Sequence, residues 1–146
     1  FADVHPSVVD TVALVHVDDL RPHEEVTEAR AVAFQHYLST LSLKILPAII
    51  VCSQTQVVID GHHRLHIFKQ AGMSIVPAVF VCLDHEDVLV SPPNRQTTIT
   101  KDDVIFSAMR GKLFPPKSTQ FMVRSRGGQL MPIIVLAPQI VELHQF

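Results

Sequence analysis

Val58-Ile59-Asp60-Gly61-His62-His63-Arg64 reads as the end of an apolar strand, a tight turn and the first turn of a helix. Gln56 to Ile59 is a short β-prone run, and after it the period changes, so that Leu65, Ile67, Phe68 and Ala71 share the buried face of a helix that Gly72 can end. Gly61 then makes the turn, and the backbone N–H groups of His62 and its neighbours point out of a helix N-terminus. Orphan amides and the positive end of the helix dipole favour an anion there, and two histidines and an arginine add donors without making the surface broadly basic. A plainer reading has Asp60 capping the helix, worth about 1 kcal/mol. His62 and His66, four apart, would also suit a zinc pair. No Glu completes a His-Glu-x-x-His pattern, however, and no third ligand is marked.

Working outward, Thr11 to Val17 is a β-rich first strand broken by Asp18-Asp19-Leu20-Arg21-Pro22. From Thr27 to about Ser42, Ala31, Phe34, Leu38 and Leu41 recur at helical spacing, which predicts an amphipathic helix packed on a sheet. Ile45 to Cys52 and Gln56 to Ile59 form a hairpin across the polar turn Ser53-Gln54-Thr55. Val76 to Leu83 is a further strand, Asp87 to Val90 a short one, and Ser91 to Thr97 a Pro-containing loop. A third helix runs from Lys101 to Arg110, capped by Thr100 and closed by Gly111, with Val104, Ile105, Ala108 and Met109 as its apolar residues. The tail from Leu113 is rich in turn formers and ends in the apolar run Leu130 to Leu136. The sum is an α+β fold, a small mixed sheet with helices packed on it, in a single domain over 1–146.

At 146 residues the chain can bury a real core without staples. A net charge of -2, from Lys+Arg 12 against Asp+Glu 14, gives no global attraction to nucleic acid, so an anion site must be local. Cys52 and Cys82 lie in apolar runs and read as reduced core thiols. No apolar run approaches the roughly 18 residues of a membrane span. A cytosolic protein is the default expectation, although the sequence starts at Phe1 and a leader or short arm could precede it.

Two further segments bear chemistry. Arg21-Pro22-His23-Glu24-Glu25 places adjacent carboxylates just before the first helix. One of them, if buried, could serve as a general base for an attacking hydroxyl, or both could simply complement the helix dipole. Lys117-Ser118-Thr119 follows two stiffening prolines and offers a cation and two hydroxyls to phosphate oxygens, although a solvated turn has the same composition.

Taken together and in this order, Leu20-Arg21-Pro22-His23-Glu24, Val58-Ile59-Asp60-Gly61-His62-His63-Arg64 and Gly111-Lys112-Leu113-Phe114-Pro115-Pro116-Lys117-Ser118-Thr119 resemble the ParB/sulfiredoxin-fold proteins that phosphorylate free L-serine to O-phospho-L-serine. The resemblance implies a kinase that uses ADP or ATP with magnesium. Glu24 would be the base for the serine hydroxyl and Asp60 a catalytic or substrate-orienting carboxylate. Gly61, His62, His63 and Arg64 would form the nucleotide-phosphate loop, with His23, Lys117, Ser118 and Thr119 as a substrate or phosphate clamp. No protein metal ligand is implied, because magnesium in such sites takes most ligands from phosphate and water. The implied partners are a nucleotide and a small hydroxyl amino acid, with neither nucleic acid nor membrane.

Departures from the family pattern fall on the substrate side. Relatives usually follow Lys-Ser-Thr with an Arg-His pair, where this chain has Gln120-Phe121, and they carry an aromatic residue in the segment matching Ser91-Pro92-Pro93. A catalytically silent nucleotide-binding or regulatory module is therefore the alternative. Sulfiredoxin chemistry needs a cysteine where His62 stands, and ParB partition proteins carry a Glu-Arg-Arg type loop, so neither sibling activity is expected.

Overall fold

The computed structural model describes residues 3–39, 45–91, 98–137 and 141–142. Among the described residues, three α-helices are arranged around a four-stranded mixed sheet and a second, three-stranded sheet. β1 (Val9–His16), β5 (Ile75–Val81), β3 (Ile49–Cys52) and β4 (Val58–Asp60) lie in the order β1-β5-β3-β4. β3 runs parallel to β5 and antiparallel to β4, so the expected hairpin across Ser53-Gln54-Thr55 is present. The connection from β4 back to β5 carries helix α2 (His62–Gln70), which lies against β3. Helix α1 (Glu28–Ser39) packs against α2.

Alternation in β3 explains why both faces of the sheet are buried. Ile49 and Val51 join Leu65, Ile67 and Phe68 of α2 on one side, while Ile50 and Cys52 join a second cluster on the other. That second cluster is completed by Val104 and Ala108 of α3 (Lys101–Arg110) and by Val88, Phe121 and Val123 of the smaller sheet. The smaller sheet has the order β6-β7-β8, with β6 (Val88–Ser91), β7 (Gln120–Arg124) and β8 (Leu130–Pro132) all antiparallel. One face of the main sheet thus carries helices and the other a second sheet with α3.

Several expectations shift in detail. The run Ile45 to Cys52 is not one strand. Pro47 offers no N–H to a ladder, and the chain divides into β2 (Ile45–Leu46), paired with β9 (Val141–Glu142), and β3. β7 falls within the expected turn-rich tail, although the buried Phe121 and Val123 alternate with the partly exposed Met122 and Arg124. α3 begins at Lys101 as expected, N-capped by Thr100 in a capping box in which Thr100 Oγ1 accepts from Asp103 N–H and an Asp103 carboxylate oxygen accepts from Thr100 N–H. Its buried face, however, is Val104, Ser107 and Ala108, and Met109 is exposed. Of the face expected on α1, Ala31 is buried, the side chains of Phe34 and Leu38 lie outside the described residues, and so does Leu41. Residues 92–97 of the expected Pro-containing loop are likewise outside them. Cys52 and Cys82 are both free thiols.

Candidate active site

The strip Leu20 to Glu25 is threaded between two other parts of the chain. On one side Arg21 N–H donates to Gln56 O at 2.9 Å and Val58 N–H donates to Arg21 O at 2.8 Å. On the other, Phe114 N–H donates to His23 O and Glu25 N–H to Phe114 O, both at 2.8 Å. These bonds draw the three sequence motifs together. The result is a cavity of about 420 Å³ lined by Glu24, Asp60, Gly61, His62, His63, Arg64, Lys117 and Thr119, with Ile59, Phe121, Ile133 and Ile134 as its apolar wall.

Glu24 and Glu25 part company: Glu25 is exposed, while Glu24 is only 8% exposed. The Glu24 carboxylate accepts from Lys117 N–H at 2.9 Å, from Thr119 N–H at 3.1 Å and from the Thr119 hydroxyl. An acceptor-only carboxylate surrounded by donors is held in one orientation. Lys117 adopts a left-handed backbone (φ 63), unusual for a residue with a side chain, and that turn is what brings its N–H to Glu24.

At the helix N-terminus Gly61, and not Asp60, is the cap residue, with φ 108. The capping alternative for Asp60 is therefore not the arrangement found. A Cβ at Gly61 would sit 2.9 Å from Arg64 Nη2 and 3.0 Å from Ile49 Cδ1, so this position requires glycine for both conformation and space. The first intrahelical bond is Leu65 N–H to Gly61 O at 2.8 Å, leaving the amides of His62, His63 and Arg64 without helical partners at the cavity.

The side chains sort differently from the amides. Arg64 folds back beneath the loop, donating to Ala48 O at 3.1 Å and lying 3.6 Å from Asp60 Oδ2. Burial lowers its pKa against the pull of Asp60. His62 is turned inward and buried, with Nε2 accepting from His23 N–H at 3.1 Å and Glu24 N–H at 3.3 Å. His63 stays half-exposed, its pKa lowered by burial and then by Lys117 and Arg30, with Glu24 opposing.

His23 does not reach the cavity in the manner a clamp would require. It is fully buried, its Nδ1–H donates to Val58 O at 2.7 Å, and its Nε2 lies 3.0 Å from Thr119 Oγ1. Ser118 is also diverted, its hydroxyl donating to Pro115 O on the far side of the loop. Of the expected clamp, Lys117 and Thr119 line the cavity. The wall formed by Pro132, Ile133 and Ile134 was not anticipated, because the run Leu130 to Leu136 read as an undivided apolar tail. Pro132, where β8 gives way to a 3₁₀ turn (Ile133–Leu136), was the signal available.

Among the described residues, no group of three or more His, Cys, Asp or Glu side chains converges as a metal site, which leaves His62 and His66 without the further ligands a zinc centre needs. No helix among them is long and apolar enough to cross a membrane.

Set beside solved structures, the chain superposes on a free serine kinase in complex with AMP at a TM-score of 0.66 with 11% identity, over 90% of this chain and 93% of that one. The chain has the fold of the free serine kinases. This is the ParB/sulfiredoxin-like architecture that the three motifs led one to expect. C-terminally truncated SbnI from Staphylococcus aureus shares it at a TM-score of 0.60 and 15% identity, over 86% of this chain and 88% of that one. In sequence, the chain is 31% identical over 78 residues to an ATP-dependent L-serine kinase of Staphylothermus marinus, a match covering 51% of this chain and 31% of the relative's length. No family model matches the chain.

Proposed function

We propose that this protein is a nucleotide-dependent phosphotransferase acting on a free hydroxyl amino acid, with L-serine as the acceptor and ADP or ATP as the donor, and that residues 1–146 form one such domain. The observation that carries this reading is the pairing, in one cavity, of a buried and rigidly held carboxylate, Glu24, with the unpartnered amides at the start of α2. A passive phosphate-binding loop has no use for an oriented base, whereas phosphoryl transfer needs both an activated hydroxyl and a cradle for charge.

In this mechanism the nucleotide's terminal phosphates lie against the amides of His62, His63 and Arg64, with Lys117 and His63 as side-chain donors. Glu24 takes the proton of the acceptor hydroxyl as its oxygen attacks the terminal phosphorus, and the bond to the shortened nucleotide breaks. Positioning and electrostatic stabilisation do most of the work. Asp60 is a partly exposed carboxylate on the cavity wall, suited to orient the amino acid's ammonium group or to face a magnesium ion carried by the nucleotide. Magnesium, when bound, neutralises phosphate charge and takes its other ligands from phosphate and water.

Phosphorus NMR of the protein with magnesium, L-serine and either ATP or ADP should show O-phosphoserine and so name the donor. Glu24→Gln should lower turnover by about 10²–10⁴-fold while nucleotide affinity stays within a few-fold. Turnover retained in that variant would remove Glu24 from its assigned role. Nucleotide binding without product from serine or other hydroxyl amino acids would instead favour a silent binding module.

A further inference from the structure

His62 sits at the start of the phosphate-facing helix, yet its ring is not directed at a ligand. Its Nε2 accepts two backbone N–H bonds, from His23 at 3.1 Å and from Glu24 at 3.3 Å. Those amides belong to the residue that carries the base and to the residue before it. Two steps earlier the same strip is held by backbone bonds to Gln56 and Val58. At His23 that ladder gives out, because Val58 O is occupied by the His23 ring itself. The imidazole of His62 stands where a backbone carbonyl would be needed next.

We propose that His62 is a positioning residue: its neutral imidazole, accepting through Nε2, fixes the backbone of Glu24 relative to the phosphate-binding amides of α2. The functional half of this inference rests on the kinase reading; the structural half does not. One residue would then present its N–H to the phosphate side and its ring to the base, so that donor cradle and base are set at a fixed distance from each other.

The role requires the Nδ1–H tautomer, since a proton on Nε2 would face two donors and break both bonds. The groups packed around the ring oppose that proton. Burial disfavours the charged form first, and His23, whose ring meets it edge-on at 4.5 Å, together with His63, Arg64 and Lys117, adds to the effect. Glu24 is the acidic residue whose backbone N–H the ring holds, but its carboxylate is already engaged by Lys117 and Thr119.

Two variants and the wild type test the idea. His62→Gln keeps an acceptor near the position of Nε2 and cannot titrate, whereas His62→Leu keeps the bulk and removes the acceptor. Nitrogen NMR of the wild-type ring at neutral pH should show Nε2 unprotonated. Amide hydrogen exchange at Glu24 should quicken by about tenfold or more in His62→Leu, as expected for a lost buried hydrogen bond, and stay close to wild type in His62→Gln. Turnover should fall by about 10²-fold in His62→Leu with nucleotide affinity nearly unchanged, as small misplacements of a catalytic group do, and be largely recovered in His62→Gln. A protonated Nε2, or unchanged Glu24 exchange in His62→Leu, overturns the proposal. So does a loss of nucleotide affinity as large as the loss of turnover, which would make the ring a phosphate ligand. If His62→Leu does not fold, the wild-type tautomer and His62→Gln still decide. If the wild type transfers no phosphate at all, the kinase reading fails, while tautomer and exchange continue to report on the positioning role.

Discussion

Arg64 shows how a residue can offer its backbone to a helix N-terminus while its side chain turns elsewhere. Its Nη2 donates to Ala48 O and lies 3.6 Å from Asp60 Oδ2, its Nε has no partner among the described residues, and its side chain is only 12% exposed. Replacing it with lysine keeps the charge and loses the planar fork. Arg64→Lys should therefore lower stability by about 1–3 kcal/mol, measured by urea unfolding, while nucleotide affinity measured by calorimetry changes little. A large affinity loss with intact stability would return Arg64 to the phosphate. At this scale the sequence identified the residue types that gather at the site, including Glu24, Asp60 and the glycine turn. It could not say which way His62, Arg64 and His23 face. Their orientation is decided by partners far away in the chain, the His23 and Glu24 N–H groups for His62, Ala48 O for Arg64 and Val58 O for His23, and no local spacing encodes those.

Among the elements, α3 is the one whose limits were most legible, because Thr100 and Gly111 act locally: a capping box at one end and a left-handed glycine (φ 68) at the other. Thr100→Ala should cost about 1 kcal/mol of unfolding free energy with nucleotide binding unaffected, since only the helix end is disturbed. Which face α3 buries was less legible. Ser107 is turned inward because its hydroxyl donates to Lys112 O beyond the helix end, and Phe106 stays outside with the Arg110 guanidinium 4.7 Å above its ring. A polar residue that bonds the backbone just past its own helix and an aromatic covered by an arginine both defeat a simple apolar count. The division of Ile45 to Cys52 followed the same lesson in reverse, for Pro47 carried the information and the apolar run around it concealed the break.

For the molecule as a whole, buried histidines contribute to the way stability responds to acid. Burial lowers the pKa of His62 well below its ordinary value and lowers that of His23 too, despite the opposing pull of Glu24. Below the ordinary histidine pKa, the unfolded chain takes up protons that the folded chain refuses, so stability falls with pH until the folded rings also titrate. Each such histidine contributes up to about 1.4 kcal/mol per pH unit in that window. Urea midpoints compared at pH 7 and pH 5.5 should show the wild type losing stability and His62→Gln losing distinctly less. An equal loss in both would mean that the His62 ring accepts its proton when folded.

The bonds that hold Glu24 in place join residues 93 and 95 positions apart in the chain, and those from His62 span 38 and 39. Contacts of such long sequence separation form only after the entropy of closing the intervening loops has been met, late in the search for the native state. A partly folded chain with its sheet in register but its tail undocked would hold the glycine turn and lack a fixed base. The cavity that joins Glu24 to the start of α2 is thus completed only with the whole topology, and under the proposed kinase reading a half-made chain is chemically silent while it folds.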